Sequence, residues 1–152
     1  MDYKKIIIII LVFIVLAAIG FAVTNLFNVT NSPSATIKDQ TFKLLVAKSD
    51  EEKQIGLSRH ESLPADSGMI FLFNKADFYS FWMKDMKFPI DILYINGNRI
   101  VTIYKNQKPE RSGNPPILTP KEESDKVLEI NAGLSDKYKF SEGDKIKFEN
   151  LE

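Results

Sequence analysis

The side chains best suited to chemistry lie between residues 78 and 91. Trp82, Lys84 and Asp91 bring together an indole, an ammonium and a carboxylate. Trp82 and Lys84 point to one face if 81–83 is a short strand or strand end, because side chains alternate along a strand. Polar groups around an apolar pocket are the usual composition of a small-ligand site. Alternatively, Trp82 and Met83 fill the core, and Lys84 forms an ion pair with Asp91 that fixes the strand order.

Arg59 and Glu129 complete the set of candidate ligand-binding residues. Asp91 lies on a predicted strand face that is otherwise apolar, so its carboxylate needs a donor. Arg59 or Lys84 can supply it, and the guanidinium can bind a carboxylate through two hydrogen bonds. Glu129 with Asp91 would make a carboxylate pair of the kind that glycoside hydrolysis uses. Strand alternation instead favours a polar face for Glu129.

Several other chemistries do not fit the composition. The chain has no cysteine and a single histidine, which removes thiolate nucleophiles, disulfides and cysteine-based zinc sites. Ser58 and His60 follow a predicted helix and lack the closing glycine of a nucleophile elbow. Acidic residues do not show calcium-loop spacing, and a net charge of zero does not fit a nucleic-acid partner. We expect no metal, no cofactor and no catalytic residue.

An apolar stretch near the N-terminus predicts a membrane helix. The 18 residues from Ile6 to Val23 are uncharged, and 14 of them are Ile, Leu, Val or Phe. As a helix they would span about 27 Å, close to the hydrocarbon thickness of a bilayer. A cleaved signal peptide and a buried helix are the alternatives. Lys4 and Lys5 precede the stretch, which predicts a single-pass protein with a cytoplasmic N-terminus and its C-terminal domain in the periplasm or at the cell surface.

Composition divides the chain into three parts. Residues 1–24 form the predicted membrane anchor, and residues 25–35, rich in Asn, Ser and Thr, form a predicted flexible linker. Residues 36–152 are enough for one domain with its own core.

The elements that must position the candidate residues are mostly short strands. Ser49 and Glu52 have the spacing of a capping box, which predicts a short helix. Asn96 and Gly97 predict a type I′ hairpin turn between two strands. The predicted strands are 42–47, 69–73, 90–95, 99–104, 127–130 and 145–148, with a helical turn at 132–138. This pattern is typical of an α+β, mainly β fold, a small antiparallel barrel-like or sandwich domain with one or two short helices.

Several motifs resemble a known family. They are Gly68-Met69-Ile70-Phe71, Phe81-Trp82-Met83-Lys84, Pro89-Ile90-Asp91-Ile92, Val127-Leu128-Glu129 and Gly143-Asp144. In this order they resemble domain of unknown function 192, over about residues 37–150. The resemblance implies a mainly β, barrel-like fold, and it gives no catalytic residues to carry over because the activity of the family is not established. The chain departs from the family pattern at Ser58, usually Met, at Asp85, usually Asn, and at Met86, usually Thr.

These observations together predict a membrane-anchored extracytoplasmic binding module rather than an enzyme. Its expected ligand is a small molecule, a glycan or an envelope protein, and its expected membrane contact is the lipid bilayer through residues 6–23. The aromatic residues between 78 and 82 are core or a stacking platform for a sugar ring. One alternative is a carboxylate-dependent hydrolase acting on envelope saccharide or peptide through Asp91 and Glu129. The other is a structural partner of another membrane protein.

Overall fold

The computed structural model describes residues 2–30, 32–110, 113 and 115–151, with the backbone alone for 25–30. The chain divides into two compact units between Ser32 and Pro33. The N-terminal unit is helical, and the C-terminal unit is built on one β-sheet.

The N-terminal unit is a single helix, α1 (Tyr3–Thr30). Its segment Tyr3–Thr24 is long and apolar enough to span a membrane, a criterion of length and composition that a signal sequence also meets. A helix suits an apolar membrane-spanning segment because the backbone N–H and C=O groups form hydrogen bonds within the helix. The helix continues into the range 25–35, where a linker was predicted, and this range lies partly outside the described residues.

The C-terminal unit contains seven strands and two short helices. They are β1 (Ser34–Ile37), β2 (Gln40–Ala47), α2 (Asp50–Ile55), β3 (Ser67–Asp77), β4 (Ile90–Asn96), β5 (Arg99–Gln107), β6 (Ser124–Asn131), α3 (Leu134–Lys137) and β7 (Ile146–Glu149). The sheet order is β5-β4-β6-β3-β2-β1-β7. All neighbours are antiparallel except β2 and β3, which are parallel and joined through α2. The predicted mainly β, α+β fold is confirmed, with one parallel pair that the sequence did not indicate.

The sheet curls into a half-barrel whose outer strands come close at one end. Arg99 and Lys145 form an isolated antiparallel bridge between the start of β5 and the residue before β7. The Ile146 amide also donates to the Asn98 carbonyl at 2.9 Å. These contacts reduce the exposed edge that an open sheet would present.

Two apolar clusters cover the two faces of the sheet. The inner cluster draws on all seven strands: Ala35, Ile37, Phe42, Leu44, Ile70, Leu93, Ile95, Ile100, Leu128, Ile130, Phe140 and Ile146. The outer cluster is Ala47, Leu57, Leu63, Met69, Phe71, Met83, Ile90, Ile92, Tyr94, Val101, Leu118 and Val127. Strands β2 to β6 contribute to both clusters, and β3, β4 and β6 have runs of four to six consecutive buried residues, so these three strands are covered on both faces.

Local sequence signals are confirmed at the helix and corrected at the turn. At the start of α2, the Ser49 hydroxyl accepts from the Glu52 amide at 3.2 Å, and the Glu52 carboxylate accepts from the Ser49 amide at 2.8 Å. The hairpin between β4 and β5 turns at Gly97 and Asn98, one residue later than the Asn-Gly pair. Of these two residues only Gly97 has a positive φ, 60°, which fits a type II′ turn and not the predicted type I′ turn.

Asp91 is buried on the inner face of β4 and joins three segments of the fold. One carboxylate oxygen accepts from the backbone amides of Asn106 at 2.7 Å and Gly133 at 3.1 Å, and the other accepts from the Ser135 amide at 2.8 Å. The expectation that Arg59 or Lys84 would be the donor is therefore wrong. Backbone amides satisfy this carboxylate, which ties β4 to the end of β5 and to the start of α3.

Replacing Asp91 with Asn should destabilise the domain although the side chain keeps its size. The three amides surround both carboxylate oxygens, so the new amide nitrogen must face at least one donor. We expect the free energy of unfolding to fall by about 2–4 kcal/mol. Urea unfolding of the full chain in detergent micelles, followed by near-UV circular dichroism, measures this change. The control is Asp66→Asn, whose exposed ion pair with Lys43 should contribute less than about 1 kcal/mol. Equal losses in the two variants would contradict the assigned role of Asp91.

Candidate ligand-binding site

A cavity of about 450 Å³ lies on the outer face of β3 and β6. Strand β3 contributes Phe71 and Phe73 to it, and strand β6 contributes Glu129. The end of α2 and the residues after it form one wall, and the segment 79–86 between β3 and β4 forms another. The cavity therefore lies between a rigid sheet and two connections.

The segment 79–86 is attached to the rest of the domain without being a strand of the sheet. Phe81 and Leu118 exchange two backbone hydrogen bonds, of 2.9 and 2.8 Å. Met83 is buried in the outer cluster. The expectation of a strand at 81–83 is corrected to isolated bridges, at Phe81 and at Lys84. Because this segment bonds to the loop that contains Leu118, space is left between it and Glu129.

Five aromatic side chains line the cavity: Phe71, Phe73, Tyr79, Phe81 and Trp82. Phe71 and Phe81 meet edge to face, with ring centroids 4.9 Å apart, and Phe73 stacks on Tyr79 at 3.6 Å. The Lys53 ammonium lies 5.1 Å from the centre of the Phe73 ring. The sequence pattern indicates the aromatic residues from 78 to 82 but not Lys53, Phe71 and Phe73, whose contribution depends on how α2 and β3 pack.

Glu129 is the buried acid of the cavity. Glu129 is only 5 % exposed to solvent. Its neighbours on the adjacent strands are Met69 on β3 and Ile92 on β4. Its Oε2 atom has no hydrogen-bond partner among the described residues. Burial raises the pKa of Glu129 to about 8, so the carboxyl is mostly protonated at neutral pH. The expectation of a polar face for Glu129 is wrong.

The structure brings together three of the five candidate residues. Trp82, Lys84 and Glu129 line the cavity, whereas Arg59 and Asp91 do not. Trp82 is 55 % exposed, so the alternative in which it fills the core is wrong. The alternative pairing of Lys84 with Asp91 is also wrong, because backbone amides hold the Asp91 carboxylate.

Asp91 and Glu129 lie on opposite faces of the sheet. Glu129 is paired with Ile92, and Asp91 is paired with Ile130. Paired residues share a face and successive residues alternate, so the two carboxylates point away from each other. This geometry contradicts a hydrolase that uses them as a pair in one cleft.

Two of the three departures from the family pattern alter the lining of the cavity. Ser58 and Met86 both line it. Asp85 instead has a positive φ of 59°, a left-handed conformation that Asp and Asn adopt more readily than most residues. The substitution of Asp for Asn therefore preserves the backbone turn, and the other two change the surface that a ligand would meet.

Comparison with known proteins agrees with this architecture. The model of the family DUF192, described as an uncharacterized ACR, matches residues 33–148. This chain belongs to the DUF192 family. The predicted resemblance over about residues 37–150 is thus confirmed. No curated protein matches the chain.

Two solved structures resemble this DUF192 protein over the same share of the chain. One is a protein of unknown function from Novosphingobium aromaticivorans, with 29% identity and a TM-score of 0.68, covering 76% of this chain and 83% of its own. The other is described as a putative transcription regulator from Sinorhizobium meliloti, with 26% identity and a TM-score of 0.69, covering 76% of this chain and 91% of its own. Both support the fold, and the function has to be argued from the cavity.

Buried Glu129 should make the stability of this DUF192 domain fall as pH rises. Between the ordinary glutamate pKa of 4.5 and about 8, the folded protein holds a proton that the unfolded chain has lost. The free energy of unfolding should therefore decrease by up to about 1.4 kcal/mol per pH unit in this window and then level off. Glu129→Gln should remove this slope, while Glu51→Gln, at an exposed position, should keep it. Urea unfolding at a series of pH values tests this, and parallel pH profiles for the wild type and Glu129→Gln would refute it.

Proposed function

We propose that this protein is a non-catalytic binding module, held outside the cytoplasm by its N-terminal helix, that takes a small molecule into the cavity above Glu129. One observation carries the proposal: Glu129 lines the cavity with a buried carboxyl group, one oxygen of which has no partner among the described residues. A polar group buried without a hydrogen bond costs on the order of 1–3 kcal/mol. A ligand that donates to this oxygen removes that cost.

The dimensions and composition of the cavity support a small ligand. Its volume of about 450 Å³ lies within the range of about 300–1,000 Å³ that is usual for small-molecule sites. Five aromatic side chains line it, and one of them, Trp82, is exposed and could stack on a ligand ring. A glycan unit and other small molecules with a flat apolar surface both fit this composition.

Binding accounts for the site better than hydrolysis does. Asp91 is on the opposite face of the sheet, and the carboxylate of Asp50, the other acid of the described lining, is fully exposed. The Ser58 hydroxyl donates to the Ile55 carbonyl at 2.6 Å, so its proton is held by a backbone carbonyl and not by a general base. A single buried acid in an aromatic cavity is sufficient for recognition.

The location in the envelope rests on the N-terminal helix. Its apolar segment satisfies the length requirement of a membrane span, and the lysines at positions 4 and 5 favour a cytoplasmic N-terminus. In this arrangement residues 6–23 contact the bilayer and the DUF192 domain meets ligands of the periplasm or the cell surface. An envelope protein that docks on the domain is the second candidate partner, favoured by the exposed side chains of Phe78, Trp82 and Ile117.

Methyl NMR on the full chain in nanodiscs tests whether the cavity binds small molecules. Met86 lines the cavity, so its labelled methyl group reports on occupancy, and buried Met83 reports on the fold. A panel of amines, carboxylates, amino acids and saccharides should include compounds that shift the Met86 signal at millimolar concentration. Ser58→Phe should fill the cavity and abolish these shifts, while Ser62→Phe, at an exposed position outside the lining, should leave them intact.

Two results would contradict the proposal. One is a panel in which no compound moves the Met86 signal. The other is binding that persists in a Ser58→Phe variant whose Met83 signal shows a native fold.

A further inference from the structure

The charges around the cavity differ between its interior and its edge. Glu129 is buried against the sheet and lines the cavity, and its Oε2 atom has no partner among the described residues. Lys84 lines the same cavity and is exposed to solvent. The cavity therefore combines a buried hydrogen-bond acceptor with a solvated cation.

The buried end of the cavity is suited to an ammonium group. An ammonium donates hydrogen bonds and also carries the charge that an ionised buried carboxylate needs as a partner. Aromatic rings around it add cation–π attraction. The ring of Phe73, which lines the cavity, already accepts such a contact from the Lys53 ammonium at 5.1 Å.

The edge of the cavity is suited to an acidic group. Two lysines line the cavity, and Lys53 already has a carboxylate, that of Asp50, at 4.0 Å. Lys84 has no ion pair with any residue that the structure describes, so its ammonium is free to meet an anion. A ligand carboxylate there would remain partly solvated, which keeps its desolvation cost low.

We infer that the ligand is a small zwitterion with an apolar body, of the amino-acid type, whose ammonium group contacts Glu129 and whose acidic group contacts Lys84. This inference rests on the proposed function and specifies its ligand class. The aromatic walls contact the apolar side chain of the ligand, and the exposed Lys84 side chain follows the carboxylate, which an α-amino acid carries on the same carbon as its ammonium group.

Proton release distinguishes this ligand from a neutral one. The charged or titratable groups that line the cavity with Glu129 are Asp50 and Lys53 on α2 and Lys84 on the segment 79–86, and Tyr94 on β4 also acts on Glu129. Against the sheet, the strand neighbours of Glu129 are the uncharged Met69 and Ile92. Below pH 8 the free protein holds a proton on Glu129, and an entering ammonium favours the ionised carboxylate. Binding of the zwitterion therefore releases up to one proton, whereas binding of a neutral saccharide does not.

Isothermal titration calorimetry of the full chain in nanodiscs, in two buffers of different ionisation enthalpy, measures both affinity and proton release. The probes share a phenyl group: L-phenylalanine, phenethylamine with the ammonium alone and 3-phenylpropionate with the carboxylate alone. N-acetylglucosamine is the neutral probe. We expect L-phenylalanine to bind about tenfold more tightly than either singly charged probe, because it alone offers an ammonium to Glu129 and a carboxylate to Lys84.

Two variants and one control test which side chain contacts each charged group of the ligand. Glu129→Gln should weaken L-phenylalanine binding about tenfold and abolish proton release, and Lys84→Gln should weaken it several-fold with proton release retained. Lys87→Gln is the matched control, because Lys87 pairs with Glu61 and does not line the cavity. It should bind like the wild type.

The outcomes separate this inference from the proposed function. If 3-phenylpropionate or N-acetylglucosamine moves the Met86 methyl signal and L-phenylalanine does not, the inferred ligand class is wrong. The proposed function as a binding module is then still supported. Equal affinity for L-phenylalanine and phenethylamine, or binding of L-phenylalanine without proton release, would also overturn the inference alone. If none of the four probes and no compound of the wider panel moves the Met86 signal, both fail.

Discussion

The half-barrel depends on three strands that are covered on both faces. Because β3, β4 and β6 have runs of four to six consecutive buried residues, a carboxyl group within such a run can find a partner only within the protein or in a ligand. Asp91 and Glu129 meet this constraint in opposite ways. Three backbone amides surround the first, and one oxygen of the second has no partner among the described residues. The first carboxyl stabilises the fold, and the second defines the site.

The cavity exists because of how one connection crosses the sheet. The segment 79–86 bonds to the loop at Leu118 and packs Phe81 against Phe71, so it covers the outer face of β3 and β6 without filling the space above Glu129. Aromatic side chains hold this cover at a distance from the sheet. The same arrangement excludes most solvent from the carboxyl, which raises its pKa, and leaves the edge of the cavity open to a ligand.

Local patterns predicted most of the elements but only part of the site. The capping box at Ser49 and the hairpin after Ile90 depend on neighbouring residues, so the sequence indicates them directly. The burial of Glu129 depends on strands distant in sequence. Its strand has apolar neighbours on both faces, and alternation cannot identify a solvent face in a strand that has none. The amide partners of Asp91 could not be predicted either, since they lie 15 to 44 residues away along the chain.

The most direct test of this account is a carbon-13 NMR titration of the Glu129 side-chain carboxyl in the full chain, with Glu129→Gln used to assign the signal. We predict a midpoint near pH 8 without ligand, because the carboxyl is buried and has no cationic partner among the residues that the structure describes. A midpoint near the ordinary glutamate value of 4.5 would mean that the carboxyl is solvated or paired in solution, and it would contradict the central claim.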